Sequence, residues 1–325
     1  MNQPLLREVP ELTLPIIDIG ALRGNDPARH RMIVRQFRDA CTATGFFYIA
    51  NHGVDPALSA RIFAEAKRFF DQPLAMKERV AIVKGASQNG YSGIGGQQLD
   101  AATAPDNKES MYLGVDRAPD DPLVLAGTPL HDPNPWPDFL PGWRQSVLAY
   151  FAAMEEVAGL LLNGLALSLD LPWGYFDACM TDHMSALRLL HYPPHPTADP
   201  QREVGCGAHT DWGAVTVLAQ DGTGGLEIRL PSGEWIAAAP VPGTFIVNIG
   251  DMMARWTNDL YASTPHRVLN RSPSDRYSVA FFFDPHYYTR VDCLATCCSA
   301  ERPARYAPMT AGEHILDMKR RTYGY

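Results

Sequence analysis

The chain has 325 residues, 46% of them hydrophobic and 20% charged, and its formal net charge is -8. That length allows one large domain or two small ones with a buried core that needs no covalent staples. The acidic balance, with no run of Lys and Arg that marks a basic stripe, argues against a nucleic-acid partner and leaves a small molecule or a protein.

No apolar run approaches the roughly 20 residues that span a bilayer. The opening MNQPLLREVPELTLPIIDIG lacks a basic region followed by an apolar one, so the expectation is a cytoplasmic protein without membrane association. The six cysteines are scattered along the chain, and the adjacent pair Cys297-Cys298 fits neither a zinc motif nor a small disulfide framework. They read as reduced thiols. Oligomeric state is not legible.

Early elements mix strand and helix. LPIIDIGAL reads as a short strand, and PARHRMIVRQFRDACTATG as a helix opened by Pro27 and closed at Gly45. FFYIANHGV is a second strand and turn, and Asp55 is the N-cap expected for the helix that begins at Pro56. The stretch KGASQNGYSGIGGQQLDAATAPDNKES is rich in Gly, Ser, Asn and Gln and reads as a mobile loop, a lid or binding loop. A long helix, PGWRQSVLAYFAAMEEVAGLLLNGLALSLDL, is apolar round much of its circumference and should be a buried support for a sheet.

Short strands then follow in succession: ALRLLHY, AVTVLAQ, GGLEIRL, EWIAAAPV, GTFIVNIG, HRVLN and RYSVAFFFDP. Many short strands separated by turn formers, without alternating helices, indicate an antiparallel jelly roll. The fold class is mainly β with α support, a double-stranded β-helix flanked by helices. Residues 1–120 read as an α/β support region and residues 121–325 as a helix plus the catalytic core, the two forming one compact unit.

Within GAHTDWGAVTVLAQDG, His209 and Asp211 stand two residues apart. In an extended segment such residues share a face, so imidazole and carboxylate converge. Downstream, His266 supplies a second imidazole, and two His with one carboxylate form the facial triad of non-haem ferrous oxygenases, which leaves three octahedral positions open. Arg276 and Ser278 are again two apart on one strand face. A guanidinium fork beside a hydroxyl suits a buried carboxylate, and Tyr192 could add a phenol.

With these motifs in hand, the sequence resembles the isopenicillin N synthase-like branch of the iron(II)- and 2-oxoglutarate-dependent dioxygenases. The likeness runs from LPIIDIGAL and FFYIANHGV through NGYSGIG and DNKESMYLG to HYPPHP, GAHTDWGAVTVLAQD, GTFIVNIGDMMARWTND, TPHRV and RYSVAFFFDP. The resemblance implies that His209, Asp211 and His266 are iron ligands, and that Arg276, Ser278 and Tyr192 hold the distal carboxylate of 2-oxoglutarate. It further implies consumption of O2 and 2-oxoglutarate, release of succinate and CO2, and oxidation, most often hydroxylation, of a small organic molecule.

Substrate contacts are expected from Arg188, Tyr91, Trp212 and Phe283, although for Phe283 core packing is the favoured role and a place beside the substrate the second. Arg188, Leu190 and Tyr192 share one strand face, and many plant members of the family carry Asn where Leu190 stands. The C-terminal segment TAGEHILDMKRRTYGY reads as a helix over the mouth of the site. Three alternatives remain at this point: an iron oxidase that, like isopenicillin N synthase, uses no 2-oxoglutarate; a catalytically dead jelly roll that only binds a ligand; and a zinc hydrolase, against which no additional Glu stands in the motif as a general base.

Overall fold

The alternation in RYSVAFFF becomes the strand Arg276–Phe283, which pairs antiparallel with Val215–Gln220 on one side and Ala186–Tyr192 on the other. In the computed structural model, which describes residues 14–24, 26–83, 87–195 and 203–323, this strand lies inside an eight-stranded sheet. A second sheet of four strands runs in the order Cys206–His209, His266–Val268, Leu226–Arg229, Trp235–Ala237. Leu190, Ile246 and Ala280 of the large sheet pack in one buried cluster with Leu226, Ile228 and Val268 of the small one. Two largely antiparallel sheets closing on a shared interior make the jelly roll that the strand pattern predicts.

The other face of the large sheet is covered by helices. Pro27–Ala43 and Pro56–Phe70 both begin with proline just after an aspartate, and the Asp26 and Asp55 carboxylates accept from the backbone N–H of Ala28 and Ala57. Each cap satisfies a donor that the first helical turn leaves unpaired. The 26-residue helix Trp143–Ser168 lies against both and against the sheet, burying Tyr150, Met154, Leu161 and Leu165. By length and composition this helix could cross a membrane, contrary to the expectation from the sequence. Its apolar circumference is explained by burial instead, each such side chain contributing about 1.5–3 kcal/mol when removed from water.

The first 120 residues supply both flanks of the large sheet. Ile16–Asp18 runs parallel to Phe46–Ala50, which pairs with Phe245–Ile249; on the opposite side Gly90–Ser92 pairs with Glu109–Gly114, which pairs with Ala186–Tyr192. The polar stretch expected to be a mobile loop is therefore partly sheet. Within it, Asp106 and Lys108 are buried as an ion pair with N···O 2.6 Å, an arrangement that composition does not reveal. Residues 84–86 of that stretch, like residues 1–13, lie outside the described residues.

Candidate active site

His209 closes one strand of the small sheet and His266 opens its neighbour, and the two are direct cross-strand partners. The Nδ1 of His209 lies 2.8 Å from the carbonyl of Gly207, and that of His266 lies 3.2 Å from the carbonyl of Thr264. These contacts place the proton on Nδ1 and leave the Nε2 lone pair facing inward. Asp211 Oδ1 sits 3.8 Å from each Nε2. The three ligand atoms all lie within 4.8 Å of one another.

The other carboxylate oxygen is tied down. Asp211 Oδ2 accepts hydrogen bonds from Thr216 Oγ1 at 2.6 Å and from Asn248 Nδ2 at 2.7 Å. Both donors come from the floor of the large sheet, so the carboxylate is oriented with one oxygen spare. The turn carrying Asp211 is held from behind, where Asp251 N–H donates to the Asp211 carbonyl at 2.8 Å. A side chain at Gly250 would not fit there, since a Cβ would sit 2.2 Å from the Gly213 carbonyl oxygen.

Burial lowers the pKa of both imidazoles, that of His266 to about 4, so both are neutral near pH 7. Burial alone would raise the Asp211 pKa. The neighbouring His266 and His209 and the hydrogen bonds from Thr216 and Asn248 outweigh it and hold the carboxyl below its usual value. Two neutral imidazole nitrogens and one carboxylate oxygen on one side of a cavity fit a ferrous ion that keeps positions open for other ligands.

The same cavity ends in a cation. Arg276 is only 1% exposed, and its guanidinium bonds the Gly224 carbonyl, Ser278 Oγ at 3.3 Å and Gln220 Oε1 at 3.3 Å. The guanidinium carbon also stands 4.7 Å from the centre of the buried Tyr192 ring. All these partners are neutral, and among the described residues no carboxylate pairs with Arg276. A buried guanidinium without an anion is costly, so the arrangement fits one carboxylate of a bound ligand.

Arg188 lines the same cavity, half-buried, donating from one terminal nitrogen to Gln97 Oε1 and Ser110 Oγ, each at 2.9 Å. Three other residues stand elsewhere than expected. Tyr91 is buried in the helix-facing core and donates to Glu109 Oε2 at 2.6 Å, because its strand turns it away from the cavity. Phe283 is fully buried on the same helix-facing side, its ring 5.9 Å from that of His183. Strand parity decides this: Arg276, Ser278, Ala280 and Phe282 face the cavity, so Phe282 takes the place expected of Phe283.

Trp212 packs against the helix-facing core and does not line the cavity. Its carbonyl accepts from His314 Nε2 at 2.9 Å, which docks the helix Ala311–Tyr323 behind the turn that carries Asp211. None of the described residues of that helix lines the cavity, so it does not roof the mouth as expected. Sequence reasoning missed Thr216, Asn248, Lys108 and Phe282. Thr216 and Asn248 carried a usable signal, being polar residues inside the otherwise apolar runs AVTVLAQ and FIVNIG.

Comparison with known proteins agrees with this geometry. Residues 14–139 match the family of the non-haem dioxygenase N-terminal region described from morphine synthesis, and residues 183–285 match the 2OG-Fe(II) oxygenase superfamily. The 2-oxoglutarate-Fe(II) type oxidoreductase hxnY of Emericella nidulans is 37% identical over 317 residues, covering 95% of this chain and 90% of its own. The crystal structure of a full-length Neurospora crassa protein in complex with alpha-KG superposes with a TM-score of 0.86 at 29% identity, covering 97% of this chain and 98% of that one. The same Neurospora crassa protein with alpha-KG and thymine gives a TM-score of 0.85 at 28% identity, covering 97% and 99%. Neighbours that hold 2-oxoglutarate over essentially the whole fold disfavour the oxidase and dead-binder alternatives. With both halves of the chain matched, and with a His-Asp-His cluster and a buried arginine in one cavity, this protein belongs to the 2-oxoglutarate- and iron(II)-dependent oxygenases.

Proposed function

We propose that His209, Asp211 and His266 hold the ferrous iron of this oxygenase, and that Arg276, with Ser278 and Tyr192, holds the distal carboxylate of 2-oxoglutarate. The observation that carries this reading is the Arg276 side chain, buried at the base of the cavity with only neutral partners among the described residues. Bound iron would supply the centre where dioxygen and 2-oxoglutarate are activated to oxidise a C–H bond. The chain's own residues do the positioning. Thr216 and Asn248 fix the Asp211 carboxylate, the Gly207 and Thr264 carbonyls fix the imidazole tautomers, and Arg276 sets the reach of the cosubstrate.

The reaction we propose is hydroxylation of a small organic molecule seated against Arg188 and Phe282, with succinate and CO2 released. The motifs DNKESMYLG and RYSVAFFFDP support assignment to the isopenicillin N synthase-like branch. Residues 1–120 serve as a support fused to the catalytic core, a division favoured by the strands they add to both flanks of the large sheet.

Anaerobic titration with iron(II) and then 2-oxoglutarate tests the assignment through the visible charge-transfer band of the chelate. The expected result is a band in the wild type that Arg276→Ala weakens without loss of iron binding. A band insensitive to Arg276 would remove the cosubstrate role, and absence of iron binding in the wild type would remove the ligand assignment.

A further inference from the structure

The cavity holds three cationic side chains, Lys108, Arg188 and Arg276, and one carboxylate, Asp211. Lys108 is neutralised where it stands, 2.6 Å from the buried Asp106. With iron and cosubstrate in place, the ferrous charge is balanced by Asp211 and the C1 carboxylate of 2-oxoglutarate, and Arg276 is balanced by the distal carboxylate. Arg188 is left over. Its hydrogen-bond partners, Gln97 and Ser110, are neutral; its Nε is buried with no partner; and it enters no ion pair among the described residues.

From this imbalance we infer that the substrate is a small organic monocarboxylate, and that Arg188 receives its carboxylate. The inference rests on the reading of Arg276 as the cosubstrate anchor. An Arg fork matches a carboxylate in shape as well as charge, and a neutral ligand would leave the Arg188 charge without a counter-charge.

The surroundings describe the rest of the molecule. Arg188 is the cross-strand partner of Ala280 on one side and of Tyr112 on the other. Phe282, two residues beyond Ala280 on the same face, lies nearly parallel to the Tyr112 ring at 6.4 Å. Leu99 and Leu218 extend this wall, and among the described residues no charged side chain beyond those already named lines the cavity. A compact apolar or planar frame carrying one carboxylate fits this wall, the charged end fixing orientation and the apolar end lying along Phe282.

The test is a binding experiment on the anaerobic holoenzyme saturated with iron(II) and 2-oxoglutarate. The probes are benzoate, phenylacetate, cyclohexanecarboxylate and hexanoate, each with its primary carboxamide, followed by calorimetry and by perturbation of the charge-transfer band. At least one acid is expected to bind at least tenfold more tightly than its amide. Arg188→Gln is expected to erase that preference and Arg188→Lys to retain part of it, with 2-oxoglutarate affinity held in both.

An acid preference that survives Arg188→Gln overturns the inference, as does the absence of any preference in the wild type, including no binding of either series. Loss of 2-oxoglutarate affinity in Arg188→Gln also overturns it, by moving Arg188 to the cosubstrate. Failure of the wild type to bind 2-oxoglutarate before any acid is added sinks the underlying assignment and this inference together, so the two failures are read in separate steps.

Discussion

Asn248 donates a 2.7 Å hydrogen bond to the Asp211 oxygen that faces away from the two imidazoles. That bond and its companion from Thr216 determine which carboxylate oxygen remains for a metal. Asn248→Ala or Thr216→Val is therefore expected to weaken iron(II) affinity by about 10–100-fold while leaving the fold intact, the usual cost of removing a hydrogen bond to a ligand. Metal titration alongside circular dichroism checks this; unchanged iron affinity in both variants would show that the carboxylate needs no such support.

At the other end of the cavity, Arg276→Gln removes the buried cation proposed to face the distal carboxylate of 2-oxoglutarate. The KM for 2-oxoglutarate should rise on the order of 100-fold or more, because truncating one member of a buried charge pair costs about 2–5 kcal/mol. Ser278→Ala, which removes one neutral hydrogen bond, should raise it only about fivefold, the equivalent of about 1 kcal/mol. Equal effects from the two variants would contradict the division of roles.

Phe282 and Phe283 separate stability from activity. Phe283→Ala opens a cavity in the fully buried core and should cost about 3–5 kcal/mol in denaturant unfolding. Phe282→Ala should cost much less stability, yet slow substrate turnover, because that ring lines the cavity. A reversed pattern would mean that the parity of the strand has been misplaced.

A pH dependence follows from the buried cluster behind Tyr192. Glu109 accepts from Lys77 and Tyr91 at 2.6 Å and pairs with His191 Nδ1 at 2.8 Å, while His191 Nε2 lies 2.8 Å from Asp275. Burial opposes charge on His191, but Glu109 and Asp275 prevail and raise its pKa above 6.5. A raised folded-state pKa stabilises fully below the unfolded value and ceases to do so as pH rises through the folded value. Burial likewise opposes charge on Glu109, but His191, Lys77 and Tyr91 prevail and lower its pKa, so its contribution is present above 4.5 and lost as pH falls through the folded value. The Tm deficit of His191→Gln should thus be largest between about pH 5 and 6.5 and shrink in alkali. A deficit independent of pH would assign His191 a packing role alone.

Local spacing made part of the cavity legible: Arg276 and Ser278 stand two apart on one strand face, and His209 and Asp211 stand two apart at a strand end and the turn after it, whereas His266 opens another strand 55 positions beyond Asp211. The supports of Asp211 were harder to read, since Asn248 is 37 positions away and only the pairing of strands brings it near. The core role favoured for Phe283 holds, and its place as a second candidate beside the substrate was avoidable: once Arg276 and Ser278 are assigned to the cavity, the period of two carries Ala280 and Phe282 there with them. Tyr91 was hidden by its setting, because a Gly-rich stretch conceals a three-residue strand whose partner, Glu109, lies 18 positions on. Lys108 and Asp106 were obscured in the same way, a buried ion pair inside a segment whose composition suggests solvent.

The pairing of Phe46 with Asn248 has a kinetic consequence. These residues are about two hundred positions apart, and closing so long a loop is slow compared with forming local hairpins. Since the strand bearing Asn248 is flanked by Phe46–Ala50 on one side and Val215–Gln220 on the other, the Asp211 carboxylate acquires its final orientation only after remote parts of the chain have met. Iron capture during refolding should accordingly lag behind the recovery of helical signal, and a stopped-flow record in which the two coincide would refute that order. Metal uptake then becomes a clock for the last stage of assembly.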